Sequence, residues 1–298
     1  MQPRHWLAFG LLALIWGTTW LGIKFVVREM PPLTTAGVRF AVAAVLLAVF
    51  ARWQGRSLSW SQFRRQERRL LLLLSVIMIG LPYGLVFYAE QHISSALTAI
   101  LFSSHAVFVL LFDSLRSRRN LFRGGRLAGL LLAAGGITLI FLPRLSGSAA
   151  ELSGVAAVLG LALSSGLAAV LAKYGAHDID PVVGVTWQMA GGALWLLAVG
   201  SVLERPGWES YSPQAWGALL YLIVFGSCVT FVLYYTLLKR MAPVQLSTLT
   251  FIEPMIAVAA GWLVLGERLG GYSLLGAVIV LAGVVLVHRE ESTPFAGG

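Results

Sequence analysis

The 298-residue chain holds a single cysteine, Cys228. That excludes an intrachain disulfide framework and a zinc site built from cysteines. Charge is scarce: Asp, Glu, Lys and Arg together make up 12%, where a soluble domain carries about a quarter. That shortfall excludes a cytosolic globular domain, a disordered chain and a fibrous one. Catalytic signatures are missing as well. There is no H-E-x-x-H, no G-x-S-x-G and no Gly-rich phosphate loop, and His5, His92, His105, His177 and His288 are scattered through different segments. No enzyme activity, no metal, no cofactor and no direct drive by bound ATP is expected.

What is there in quantity is apolar sequence: 58% hydrophobic residues and a mean hydropathy of +0.81. Apolar runs fall at about 6–27, 33–51, 70–90, 94–114, 124–142, 153–174, 181–203, 214–237, 244–265 and 271–288, each close to the ~20 residues that cross a bilayer. The expected fold is an all-α membrane protein with ten transmembrane helices. The first run is too long for a cleaved signal, lacks a small-residue cleavage site, and is followed at once by a second span. Pro31-Pro32, Gly124-Gly125, Pro143, Asp180-Pro181, Pro206-Gly207, Pro243 and Gly270-Gly271 punctuate the turns.

The net charge of +9 sits in short loops, so it reads as membrane orientation rather than nucleic-acid binding. With the N-terminus inside, 16 of the 22 Lys and Arg residues lie in cytoplasmic segments and 4 outside. Both termini therefore come out cytoplasmic, in the cell (inner) membrane.

Weak internal repeats run through the chain. Gly129 and Gly136 match Gly276 and Gly283 at an offset of 147, as Tyr88 matches Tyr235, and Lys24 and Pro32 match Lys173 and Pro181 at 149. Five spans per half is an odd number, so the second half enters from the opposite side. The fold class becomes ten helices as two inverted five-helix repeats, an arrangement found in many transporters.

Trp16-Gly17-Thr18-Thr19-Trp20, then Lys24, Pro32 and Arg39, resembles the opening pattern of the drug/metabolite transporter superfamily, EamA type. Phe251-Ile252-Glu253-Pro254, Gly261 and Leu265-Gly266-Glu267 resemble its second-half signature. The first half departs from that pattern, with Ser104-His105 and Arg116-Ser117-Arg118-Arg119 where a Pro and a later Glu are often seen. The resemblance implies repeats over 1–147 and 148–291 with a tail at 292–298. It also implies a secondary transporter or exporter of small organic solutes, working by alternating access through a central cavity. Amino acids are the expected solutes, aromatic or other neutral ones, and the aromatic-rich spans point to the YddG-like exporters. Expected partners are the solute, the lipid bilayer and protons, with the chain a monomer. The alternatives are a membrane-embedded enzyme and a non-transporting receptor or scaffold.

Glu253 stands near the middle of its span, where a charge costs about 2.5–3.5 kcal/mol. It is either a proton-coupling or solute-ammonium site, or a protonated carboxyl beside the kink at Pro254. His105 aligns with Pro254 at an offset of 149. It is the second proton-coupling candidate, or else a neutral histidine bonded across helices. Lys24 and Lys173 are expected to snorkel, Arg39 to pair with a carbonyl or carboxylate, and Glu90 and Asp113, at span ends, to be wetted. Candidate cavity residues are Trp16, Thr19, Trp20, Tyr83, Phe87, Ser103, Ser104, His105, Ser164, Ser165, Trp187, Gln188, Tyr234 and Glu253. Apolar walls with a few polar groups suit an amphipathic solute, although Ser and Thr equally serve as small packing residues. Gly17, Gly135, Gly136, Gly191, Gly192, Ala257 and Gly261 allow helices to approach closely.

Overall fold

The computed structural model describes residues 3–117, 125–141, 148–205, 211–238, 249–268 and 270–292. Gly124, Pro143, Pro206-Gly207 and Pro243 lie outside the described residues. So do Arg118, Arg119, Arg123, Arg144, Lys239 and Arg240 from the orientation count, and 293–298 of the expected tail.

The described residues hold helices and no strand. In chain order α1 is Pro3–Val27 and α2 is Pro32–Trp53. A single 3-10 turn, Trp60–Gln62, follows. The rod α3 joins Arg65–Leu74, a wider π-turn at Ser75–Gly80, and Leu81–His92. Next, α4 joins Ser95–Phe102 and His105–Ser117, α5 is Arg126–Phe141 and α6 is Ala149–Gly175. Beyond α7, Pro181–Leu203, the rod α8 joins Pro213–Ile223, a second π-turn at Val224–Val229, and Thr230–Leu238. Finally α9 is Leu249–Leu265 and α10 is Gly271–Ser292.

Seven of the described helices are long and apolar enough to cross a membrane: α1, α2, α3, α4, α6, α7 and α8. Shorter apolar stretches at Leu131–Ile140, Ile252–Leu265 and Gly271–Gly283 lie in α5, α9 and α10. Large apolar side chains point outward, among them Val45 and Val49 on α2, Leu263 and Val264 on α9, and Val278 on α10. That is the surface of a multi-pass membrane protein, whose backbone bonds are satisfied inside its own helices.

The helices pair in a regular way. α2 packs on α7, α5 on α10, α3 on α6 and α1 on α8 and α9. The antiparallel pair α2–α7 is tied at both ends. Glu204, just past α7, accepts from the Leu33 and Thr34 amides, each at 2.7 Å, capping the start of α2. Asp180 caps α7 through Val182 and Val183 and takes Arg56 from the far end of α2 at 2.6 Å. Carboxylates at helix N-termini satisfy donors that have no intrahelical partner. Glu29 does the same at the start of α8, on Ser212, and Glu267 at the start of α4, on Ser95 and Ala96.

Glycines set the tightest contact. A Cβ on Gly136 would stand 2.7 Å from the Gly276 carbonyl, and one on Gly283 would stand 2.6 Å from the Gly129 carbonyl. The α5 and α10 backbones therefore touch with no room for a side chain. Gly135, expected to share this role, faces open space.

Candidate functional site

Aromatic and polar side chains from α1, α2, α3, α8 and α9 meet inside the bundle. Trp16, Thr19 and Trp20 fall on one face of α1 because residues three and four apart share a helix face. Trp16 packs on Phe231 at 6.0 Å and on Tyr234 at 5.3 Å. Phe231 lies 6.1 Å from Tyr83, and Tyr83 lies 4.5 Å from Phe40. Glu253 is buried and makes no hydrogen bond among the described residues, and its carboxyl lies near Tyr83 and Tyr234. Trp16, Tyr83, Tyr234 and Glu253 thus belong to one constellation, with Phe87 nearby, 6.0 Å from the Arg39 guanidinium.

Arg39 stands at the edge of that constellation, and its inward partner is a backbone carbonyl. Nε donates to Ser227 Oγ at 2.8 Å and Nη2 to the Gly226 carbonyl at 2.9 Å. Both acceptors lie in the α8 π-turn, where the extra residue frees a carbonyl from the helical ladder. Phe231 and Gly226–Ser227 were not singled out from the sequence. An apolar ring and a small pair in a continuous hydrophobic run carry no signal of their own.

The other candidates lie apart. Trp20 packs on Phe102 at 5.3 Å, and Phe102 stacks on His105 at 5.2 Å. His105 therefore sits on the α4 side, and no contact joins it to Glu253 among the described residues. Its Nδ1 is buried without a partner, as are the indole nitrogens of Trp16, Trp20 and Trp187. Thr19 and Ser104 bond back to carbonyls of their own helices, Trp16 and Leu101. Ser164 reaches the Ile77 carbonyl in the α3 π-turn at 2.8 Å. Trp187 packs on Trp60 at 4.7 Å, under the α2–α3 connection. Gln188 accepts from the Tyr235 hydroxyl at 2.9 Å.

Four expectations about charged residues are corrected. Glu90 is fully buried rather than wetted, because the α9–α10 connection, carrying Glu267, folds over the start of α4 beside it. Lys24 does not snorkel outward; its Nζ donates to the carbonyls of Glu90 and Ile93 at the end of α3. Asp113 is buried and accepts from Lys173 at 2.9 Å and Tyr174 at 2.9 Å. Lys173 is accordingly held in an ion pair. No group of three or more potential metal ligands occurs among the described residues.

The model of the EamA-like transporter family matches residues 5–142 and again 152–289. The chain belongs to that family. Several of its relatives bear transporter names. The uncharacterized transporter sll0355 of Synechocystis sp. is 29% identical over 294 residues, covering 93% of this chain and 87% of the relative. The uncharacterized inner membrane transporter YedA of Escherichia coli strain K12 is 29% identical over 287 residues, covering 93% and 88%. The uncharacterized transporter YoaV of Bacillus subtilis is 28% identical over 279 residues, covering 92% and 93%. One solved crystal structure superposes with a TM-score of 0.69 at 16% identity, covering 96% of this chain and 98% of that one, a likeness of fold alone. The EamA-like chain is thus a membrane transporter whose polar and aromatic groups gather between α1, α2, α3, α8 and α9.

Proposed function

We propose that the chain is a secondary transporter of small organic solutes, amino acids in the first place, working by alternating access between two inverted five-helix halves. The halves are 1–147 and 148–291, with 292–298 a tail. The observation that carries this is the pair of π-turns. Each is six residues long, and their first residues, Ser75 and Val224, are 149 apart. Pro32 and Pro181, which open α2 and α7, share that offset. The doubled family match and the pairing of α2 with α7 and α5 with α10 support the same reading. Inverted repeats give two related conformations, one open to each side, by rocking one half on the other.

The constellation of Trp16, Tyr83, Tyr234 and Glu253 is the proposed solute site. Apolar walls hold the body of a solute and Glu253 its ammonium group, which ring faces also attract. Glu253 is the proposed proton-coupling group, and His105, on the α4 side, the second. The protein works as a monomer in the inner membrane with both termini cytoplasmic.

The test is uptake of labelled amino acids into proteoliposomes, with and without an imposed pH gradient at clamped membrane potential, against protein-free vesicles. Uptake that excess unlabelled solute inhibits is the expected result, and stimulation by the gradient assigns proton coupling. Specific uptake without stimulation would assign facilitated diffusion. No specific uptake by folded, inserted protein would sink the amino-acid assignment.

A further inference from the structure

Arg39 is 1% exposed. A buried cation is ordinarily matched by a carboxylate, since taking an ion out of water costs several kcal/mol. Arg39 has no such partner among the described residues, and its two bonded acceptors, Ser227 Oγ and the Gly226 carbonyl, are neutral. Its flat faces are covered by rings, with Cζ 4.9 Å from the Phe40 centroid and 4.8 Å from that of Tyr83. Rings attract a cation but bring no net negative charge.

One nitrogen is left over. Nη1 is buried and has no hydrogen-bond partner. The Tyr83 hydroxyl lies beside the same guanidinium, close enough for its oxygen to accept from it, which leaves the phenol O–H to donate elsewhere. A structural role for Arg39 uses Nε and Nη2, which fasten α2 to the α8 π-turn, and leaves Nη1 unexplained. A guanidinium N–H and a phenol O–H side by side form a donor pair that matches the oxygens of a carboxylate.

We propose that Arg39 Nη1 and the Tyr83 hydroxyl receive the carboxylate of the transported solute, so that the solutes are organic carboxylates with an apolar or aromatic body. The bound anion supplies the charge that Arg39 lacks. Glu253, buried on α9, provides for a positively charged group on the same solute. This deepens the transport reading and rests on it.

The test titrates detergent-purified wild-type protein, in low-salt MOPS buffer free of chloride and of carboxylates, with matched acid and amide pairs. The pairs are L-phenylalanine and L-phenylalaninamide, L-leucine and L-leucinamide, and 3-phenylpropanoate and 3-phenylpropanamide, followed by tryptophan fluorescence. At least one acid is expected to bind about tenfold more tightly than its amide, the selectivity of one charge-assisted hydrogen bond. Tyr83→Phe, which keeps the ring against Arg39, is expected to weaken the acid about fivefold and leave the amide unchanged. Acids binding no better than amides in all three pairs, or no binding by any compound, overturns the proposal. So does chloride binding as tightly as the acid, which would make this an inorganic-anion site only. Uptake of the amides into proteoliposomes as fast as the acids would leave transport standing and sink this inference alone.

Discussion

Ile77 and Gly226 hold the third position of two π-turns 149 residues apart, and the carbonyl of each accepts one side-chain hydrogen bond. The donors differ: Ser164 on α6 for Ile77, and Arg39 on α2 for Gly226. Each turn frees a carbonyl and another helix takes it. One site became a neutral contact and the other a buried charge.

That difference sets an order of stability. Ser164→Ala removes a neutral bond and is expected to cost about 1 kcal/mol. Ser227→Ala removes an acceptor from a buried cation and is expected to cost about 1.5–3 kcal/mol. Thermal unfolding of the two variants in one detergent compares them. The reverse order would mean that Arg39 does not depend on Ser227.

The α5–α10 contact gives a prediction with a built-in control. Gly136→Ala places a methyl against the Gly276 carbonyl and the Val280 amide, and overpacking of this kind costs about 1–3 kcal/mol. Gly135→Ala, one residue away, meets open space and is expected to leave the melting temperature unchanged or raise it slightly, since alanine favours helix. Equal effects in the two variants would show that α5 and α10 do not touch in this register.

Acid should loosen the start of α8. Hydrogen bonds from the Ser212 hydroxyl and amide hold the Glu29 carboxyl below the usual carboxylate range. A depressed pKa contributes stability above the unfolded value, and that contribution is lost as pH falls through the folded value. Amide exchange around 212–216 is therefore expected to speed up as pH drops below the usual carboxylate range, after correction for intrinsic rates, and Glu29→Gln to flatten that rise. An identical pH profile in the variant would place the acid sensitivity elsewhere.

If Glu253 couples protons, Glu253→Gln keeps solute binding and loses stimulation by a pH gradient. Uptake at clamped potential measures both. A variant with wild-type pH dependence would make the carboxyl structural.

The sequence marks the helix starts well, since Pro32 and the Asp180-Pro181 pair stand where α2 and α7 begin, and Asp180 caps its helix. The close approach at Gly136 is legible from composition. The π-turns are not, because Ser75–Gly80 and Val224–Val229 are ordinary apolar sequence and their widening is decided by what reaches across to them. Glu90 looked wetted because hydropathy counts distance from a span end; its burial depends on a connection that arrives more than 170 residues later, with Glu267. Trp187 drew attention as a mid-bundle aromatic, yet the loop carrying Trp60 folds beneath it, and that return path leaves no periodic trace.

The two ties on α2 and α7 limit how this pair can move. Shifting one helix along the other by a single turn, about 5.4 Å, would pull Glu204 from the Thr34 amide and Arg56 from Asp180 together. Tilting the pair as a unit breaks neither. The pair therefore behaves as a stiff spar with pinned ends, and a piston stroke along its axis is the costliest motion open to it.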